Sequence, residues 1–413
     1  MLQVGMTIFT VASLFVGLAQ DGLSVIASRG LQGIGAALTA PNALALIATT
    51  FPEGKARNGA MAVYGAMSGL GIIAGLILGG LLTGLLGWCW AFFINIPIGL
   101  AVLAGSRTLV EAELHKGRPD LAGALTSIVG MAALVYGITR GGEHGWTDSI
   151  TLASFATAAI LLPLFLILQS RSKDPLLPPR LFKERNRAGS YLAMLLLGFG
   201  PMGMIYLLTL YLQHILGYSP IMTALAFLPF GAGIIVGAIV SSKLVTRFAP
   251  REVAAPAALI GGAALFWLAN IGQELNYIWH FMPAAFLTAF GFVGAVIALA
   301  LTAVKGVQTQ ETGIASALFN ASQQIGVALG LAVLSTIAVS ATAGRLPDAL
   351  AALYRGRETG DAGLVRSASD ALIHGYGLAL AGAGAALVIA AVIAAVLVNA
   401  KRGQVSPGTI AVH

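Results

Sequence analysis

Long uninterrupted apolar runs constrain this chain more than any other feature of its sequence. The hydrocarbon core of a bilayer is about 30 Å thick and needs roughly 20 apolar residues per helix. Twelve runs predict spans near residues 3–19, 23–47, 59–83, 88–108, 120–139, 149–169, 190–214, 220–243, 252–272, 277–303, 313–340 and 372–399. The runs lack the alternation of a membrane β-barrel. The predicted fold class is an all-α polytopic membrane protein with about 12 transmembrane helices.

The composition excludes several other classes of protein. Only 9% of the residues are charged, against about a quarter in soluble domains. Cys89 is the single cysteine and the histidines have no metal-ligand spacing, so no disulfide or metal site is predicted. The motifs H-E-x-x-H, G-x-S-x-G and G-x-x-x-x-G-K-[ST] do not occur. The sequence therefore predicts no catalytic residue, no cofactor and no enzyme.

The net charge of +7 follows from the way basic residues are distributed about the membrane. If Met1 is cytoplasmic, 17 of the 23 basic residues face inward and five face outward. Four of those five lie in a predicted loop at about residues 341–371. The positive-inside rule then places both termini in the cytoplasm. The charge thus gives no reason to expect a nucleic-acid partner.

Arg29 is the strongest candidate for a functional residue. It is the only strongly charged residue well inside a predicted span, where a charge costs on the order of 2–3 kcal/mol. We therefore expect it to face a polar cavity or a partner, although it could merely bond backbone carbonyls and lock neighbouring helices. Gln32 and Gly33 follow at +3 and +4 and are predicted to share its face.

Two further sets of residues are predicted from their spacing. The stretch "GIIAGLILGG" places Gly71, Gly75, Gly79 and Gly80 in the third span as helix-packing positions. Polar or amphipathic side chains within later spans are candidates for a substrate cavity, with interhelical hydrogen bonding or packing as the alternative. They are Tyr206, Gln213, Asn320, Gln323 and Gln324.

Three ordered stretches carry a family resemblance. They are "RGLQGIGAALTAP" at 29–41, "GIIAGLILGGLLTGLLGWCWAFFINIPIG" at 71–99 and "GIASALFNASQQIGVALGLAVL" at 313–334. The sequence resembles the fourteen-span drug:proton antiporter branch of the major facilitator superfamily. The resemblance implies two helical bundles, export of amphipathic small molecules, proton coupling and a bacterial inner-membrane location, with no cofactor. A monomer is expected.

The resemblance also implies how the chain is divided. Residues 1–108 would form a four-span, incomplete N-terminal bundle, 109–187 a central pair of spans with the cytoplasmic loop "QSRSKDPLLPPRLFKERNR" (169–187), and 188–413 a six-span bundle. The family's first two spans, with a membrane-embedded aspartate, have no counterpart. Leu76 and Cys89 replace an expected proline and arginine.

Two interpretations of this gap remain open. A translation start further upstream would restore a full antiporter, and we prefer this interpretation. The alternative is an N-terminally truncated, transport-defective or uncoupled membrane fragment.

Overall fold

The computed structural model describes residues 2–50, 71, 74–75, 77–106, 120–172, 175–304, 307 and 312–399. Within these residues the regular structure is helical and no strand occurs. The first helices are α1 (Leu2–Leu18), α2 (Gly22–Thr50), α3 (Ile77–Leu86), α4 (Trp90–Phe93) and α5 (Asn95–Ser106). A hairpin follows, formed by α6 (Leu121–His144) and α7 (Ser149–Arg171).

The remaining helices follow a short 3₁₀ turn at Pro179–Phe182. They are α8 (Arg185–Leu197), α9 (Phe199–Leu210) with a π-helical end at Tyr211–Ile215, α10 (Pro220–Ala226), α11 (Leu228–Leu244), α12 (Pro250–Leu268), α13 (Met282–Ala303) after a π turn at Tyr277–Phe281, α14 (Thr312–Ala343), α15 (Ala349–Thr359) and α16 (Ala362–Leu397).

The described helices confirm the predicted all-α membrane fold. Eight continuous helical stretches within the described ranges are long and apolar enough to cross a bilayer, and shorter apolar helices accompany them. Most of the predicted third span, 59–83, lies outside the described residues, as does the stretch 107–119. Each of the other predicted spans overlaps an observed helix.

The prediction of a loop at 341–371 is wrong. Helix α15 occupies its middle, and α16 begins at Ala362, ten residues before the predicted span start. Asp361 caps α16 by accepting a hydrogen bond from Leu364 N at 3.0 Å. Polar residues such as Arg366 suggested a loop, but a capped helix can extend beyond the bilayer because its backbone hydrogen bonds are internal.

The chain divides into two compact units. The first contains residues 1–116 and 218–228, and the second contains 117–217 and 229–413. In the first unit α1 packs against α2, α4 and α5, while in the second α12 packs against α13 and α16, and α14 runs beside α6 and α8. The three-part division predicted from the sequence stays a prediction.

The α6–α7 hairpin is fastened at both ends. At one end Asp120 caps α6 at Gly123 N, at 2.8 Å, and accepts from Gln169 Nε2 of α7 at 2.7 Å. At the other end Arg140 Nε donates to Asp148 Oδ2 at 2.7 Å. Thr336 of α14 donates to the carbonyl oxygen of Ile138 at 3.1 Å. These polar contacts fix the hairpin while most of its apolar side chains remain exposed, as suits a lipid-facing element.

Candidate functional site

The helix that carries Arg29 begins with a side-chain cap. Asp21 accepts hydrogen bonds from Ser24 N at 2.8 Å and Ser24 Oγ at 2.6 Å. Asp21 lies outside the predicted span. The hydrogen bond from the Ser24 side chain is the main cause that lowers the pKa of the Asp21 carboxyl. Arg29 lies seven residues beyond Gly22, or roughly 10 Å along the axis at 1.5 Å per residue. The cap therefore fixes the helix start one to two turns from the guanidinium.

Arg29 is the end of a short hydrogen-bonded chain between α1 and α2. Its Nη1 donates to Gln32 Oε1 at 2.6 Å, and Gln32 Nε2 donates to Ser13 Oγ at 2.6 Å. Ser13 in turn donates to the carbonyl oxygen of Phe9 at 2.8 Å. Gln32 is 3% exposed and Ser13 is fully buried, whereas Arg29 is exposed. These hydrogen bonds therefore connect the buried amide of Gln32 to the exposed guanidinium of Arg29.

Phe92 of α4 contributes the second contact of the guanidinium. The Arg29 Cζ atom lies 5.7 Å from the centroid of the Phe92 ring. A cation at this distance from an aromatic face gains about 0.5–1 kcal/mol at exposed sites and more where water is excluded. The Phe92 ring and Gln32 together restrict the rotation of the Arg29 side chain.

Glycines allow α1 and α2 to approach closely enough for this chain. A Cβ atom added to Gly35 would lie 2.5 Å from Phe9 N and 2.7 Å from Gly5 O. A Cβ on Gly5 would lie 2.9 Å from Gly35 O. Backbone atoms cannot move aside as a flexible side chain can, so these positions admit only glycine. The side chains of Ser13 and Gln32 can then meet, with Gln32 Nε2 2.6 Å from Ser13 Oγ.

The free side of Arg29 defines what the site can do chemically. A guanidinium has five N–H donors and accepts no hydrogen bond. Cβ atoms added to Gly30 or Gly33 would meet nothing within 4 Å in the described part of the chain. Among the described residues of the first unit, Asp21 is the only carboxylate. The arrangement suits the binding of an anionic group that arrives from outside this cluster.

The predicted glycine face of the third span has a mixed outcome. Gly71, Gly75 and Gly79 have no described atom within 4 Å of an added Cβ, whereas Gly80 approaches α10 and would meet Pro220 O at 2.9 Å. Gly84, which the sequence analysis did not select, contacts Ile221 of the same helix. Among these five glycines, close packing against described residues thus occurs at Gly80 and Gly84. The predicted role of the other three stays a prediction.

The candidate cavity residues do not lie at one level along the helix axes. Gly326 contacts Leu195, Gly330 contacts Phe199, and Leu334 contacts Gly203, so α14 and α8–α9 run parallel in a constant register. By that register Gln324 is level with residue 193, about 13 residues, or roughly 20 Å, from Tyr206.

Exposure also differs among these residues. Asn320 and Gln324 are exposed, Gln323 is half-buried, and Gln213 is half-buried in the π-helical turn. Tyr206 is 40% exposed. A single small ligand would not span all five, so they form at least two separate candidate groups. Their role in substrate binding stays a prediction.

Two residues of the Arg29 cluster were missed in the sequence analysis. Ser13 and Phe92 lie on helices other than α2, so the spacing of residues along α2 cannot predict them. The available signals were weak: a hydroxyl in an apolar run, and an aromatic residue within "WCWAFF". Only the packing of α1 and α4 against α2 identifies them.

Comparisons of this chain with known proteins agree with its all-helical fold. Residues 1–331 match the family model of the Major Facilitator Superfamily. The chain is 38% identical over 405 residues to the puromycin resistance protein pur8 of Streptomyces alboniger, covering 96% of this chain and 78% of that protein. It is 35% identical to the MFS-type transporter EfpA of Mycobacterium tuberculosis, covering 94% and 72%.

Two further matches agree. The cephamycin export protein CmcT of Amycolatopsis lactamdurans is 35% identical, with 85% of this chain and 73% of that protein covered. A crystal structure of a bacterial homologue of the human lysosomal transporter Spinster, in an inward-facing and occupied conformation, superimposes with a TM-score of 0.62 at 21% identity, covering 95% of this chain and 80% of that one. The chain therefore belongs to the Major Facilitator Superfamily and is a multi-pass membrane transporter rather than an enzyme.

Proposed function

We propose that this protein exports amphipathic small molecules, antibiotics among them, by alternating access across the membrane. The relatives that support this proposal are named for puromycin resistance and cephamycin export. The observation that carries it is the exposed Arg29, held by Gln32 in an otherwise uncharged helix. A charge retained in a span at a cost of about 2–3 kcal/mol indicates a functional position.

Arg29 acts in this proposal as the coupling residue. Its guanidinium stays charged throughout the cycle because an arginine side chain does not lose its proton in proteins. An opposing carboxyl group, on a substrate or on a protein segment, would be ionised and bound when it faces Arg29, because a nearby positive charge lowers a carboxyl pKa. Protonation of that group would release it. Proton-driven exchange follows if the two states alternate with the two orientations of the transporter.

The proposal includes a location and an orientation. The protein lies in the bacterial inner membrane as a monomer, with both termini in the cytoplasm and with a small-molecule substrate and protons as its partners. The supporting observation is the excess of basic residues in the segments assigned to the cytoplasm. The distribution of Lys and Arg, rather than a nucleic-acid ligand, accounts for the net charge.

The test measures puromycin accumulation in inverted membrane vesicles. Vesicles with an acidic interior that contain the native chain should accumulate puromycin above the level of empty membranes. Arg29→Ala should reduce accumulation to near that level, and Arg29→Lys should restore little because a lysine lacks the planar fork of donors. Arg171→Ala, which removes an exposed arginine from the last turn of α7, is the matched control and should transport normally.

Each outcome bears directly on the proposal. Native-like accumulation by Arg29→Ala, at equal amounts of inserted protein, would contradict the coupling role of Arg29. A native chain that inserts and accumulates no puromycin under any gradient would favour the transport-defective alternative. Accumulation that ignores the pH gradient would refute proton coupling and leave export intact.

A further inference from the structure

The hydrogen bonds that connect Arg29 to α1 can run in only one direction. A guanidinium only donates, so the atom of Gln32 that faces Arg29 must be Oε1. The other end of the amide, Nε2, then faces Ser13 and must donate to Ser13 Oγ. The hydroxyl proton of Ser13 is consequently directed to the carbonyl oxygen of Phe9. Each of the three bonds has a donor and an acceptor that the chemistry dictates.

Because Ser13 is buried, the other hydrogen bonds of this network depend on its hydroxyl group. Ser13 is 0% exposed and Gln32 is 3% exposed, so water cannot replace a lost partner inside a bilayer. Without the Ser13 oxygen, the Gln32 amide N–H would be buried and unsatisfied, and the amide would turn towards another acceptor. Turning the amide moves Oε1 away from Arg29. The position of an exposed charge is thereby linked to a fully buried hydroxyl on another helix.

The contact with Phe92 does not by itself orient the guanidinium of Arg29. Phe92 lies 5.7 Å from the Arg29 Cζ atom but is an apolar surface that offers no hydrogen-bond acceptor to fix the plane of the guanidinium. Gln32 Oε1 supplies the directional contact. The orientation of Arg29 therefore depends on Gln32, and the orientation of Gln32 depends on Ser13.

We propose that Ser13 is a positioning residue for Arg29, acting through the Gln32 amide to hold the guanidinium in the geometry that receives an anionic group. The relevance of this role to transport rests on the proposed function. The positional role itself does not, because the geometry of Arg29 can be measured without any transport.

The experiment measures how fast phenylglyoxal modifies Arg29 in the purified full chain, by quantitative peptide mass spectrometry. Ser13→Ala should raise the modification rate several-fold, because the guanidinium loses its fixed acceptor. Ser13→Thr keeps the hydroxyl and should keep the native rate, and Ser13→Cys, a weak acceptor of similar size, should give an intermediate rate.

Thr10→Val provides the matched control. Thr10 is a buried hydroxyl on the same helix, and it donates to Met6 O at 2.7 Å within its own helix. Its replacement should leave the Arg29 modification rate unchanged. A native rate in both Ser13→Ala and Ser13→Cys would overturn the proposal. An equal rise in Thr10→Val would also overturn it, since the effect would then be a general loosening of α1.

Transport assays on the same variants separate the two proposals. If Ser13→Ala raises the reactivity of Arg29 and lowers puromycin accumulation while Ser13→Thr preserves both, the positional role and the proposed function stand together. If reactivity rises but neither Ser13→Ala nor Arg29→Ala alters accumulation, Ser13 still positions Arg29 and the proposed function fails.

Discussion

At the scale of single residues, polar side chains in this protein are held by a few directed contacts. Arg29 has Gln32 and the Phe92 ring, and Gln32 has Ser13. The proximity of Gln32 to Arg29 could be predicted, because i and i+3 residues of one helix share a face. Ser13 and Phe92 could not be predicted, because their contacts depend on how separate helices pack.

Asp148 gives a prediction about pH at this scale. It lies in the loop between α6 and α7, outside the spans, where the hydrogen bond from Arg140 is the main cause that lowers the pKa of its carboxyl to about 2. The unfolded value is about 3.9, so the folded pKa is depressed. The stabilisation is therefore fully present above about pH 4 and is lost as the pH falls towards about 2.

Asp148→Asn should remove this contribution and keep the cap of α7, because asparagine also caps helices well. We expect a modestly lower unfolding temperature at pH 6, and we expect the difference from the native chain to shrink as the pH approaches 2. Thermal unfolding in detergent across this range measures both. A difference that stays constant with pH would rule out the ion pair as its cause.

At the scale of helices, close backbone approach decides which elements pack. The abundance of glycine was evident from the sequence, with 52 glycines in the chain, but their partners were not. In the described first unit, tight contacts occur at Gly5, Gly17, Gly35, Gly80, Gly84 and Gly99, and the packing role of Gly71, Gly75 and Gly79 stays a prediction. Four-residue spacing shows that the glycines share one face of a helix. Only the neighbouring helix determines whether that face packs closely.

Gly35 and Gly33 test this distinction. An added Cβ at Gly35 would lie 2.5 Å from Phe9 N, so Gly35→Ala should force α1 and α2 apart and destabilise the protein by about 1–3 kcal/mol, as overpacking does. At Gly33 an added Cβ would meet no described atom within 4 Å, and alanine is the better helix former by up to about 1 kcal/mol. Gly33→Ala should therefore be neutral or stabilising.

Chemical or thermal unfolding in detergent compares the two variants. Gly35→Ala should also weaken the hydrogen bond between Gln32 and Ser13 and so raise the reactivity of Arg29. Equal stability of the two variants would show that α1 and α2 do not need backbone contact, and the argument for their close approach would have to be abandoned.

At the scale of the whole molecule, the distribution of charge predicts the orientation in the membrane. A reporter fused after Gly142, in the last turn of α6, should report an outside location, because the positive-inside rule places this end of the hairpin away from the cytoplasm. A matched fusion after Arg171, at the other end of α7, should report a cytoplasmic location. Paired alkaline phosphatase and green fluorescent protein fusions measure this, and reversed signals would overturn the topology.

The sequence by itself determined the all-α membrane fold class, the approximate position of most described helices and the family, and it singled out Arg29 as a candidate functional residue. These features follow from local quantities: apolar length against bilayer thickness, and the cost of a charge in hydrocarbon. The predicted loop at 341–371 is wrong because polar residues also occur in helices, here in α15 and at the start of α16.

Tertiary structure alone decided the rest. It brought Ser13 to Gln32 and Phe92 to Arg29, and its helix register separated Asn320 and Gln324 from Tyr206. Contacts between helices depend on the rotation and offset of two surfaces, and many combinations satisfy the same apolar pattern along a single helix. Spacing within a chain determines which residues share a face, and packing determines what that face meets.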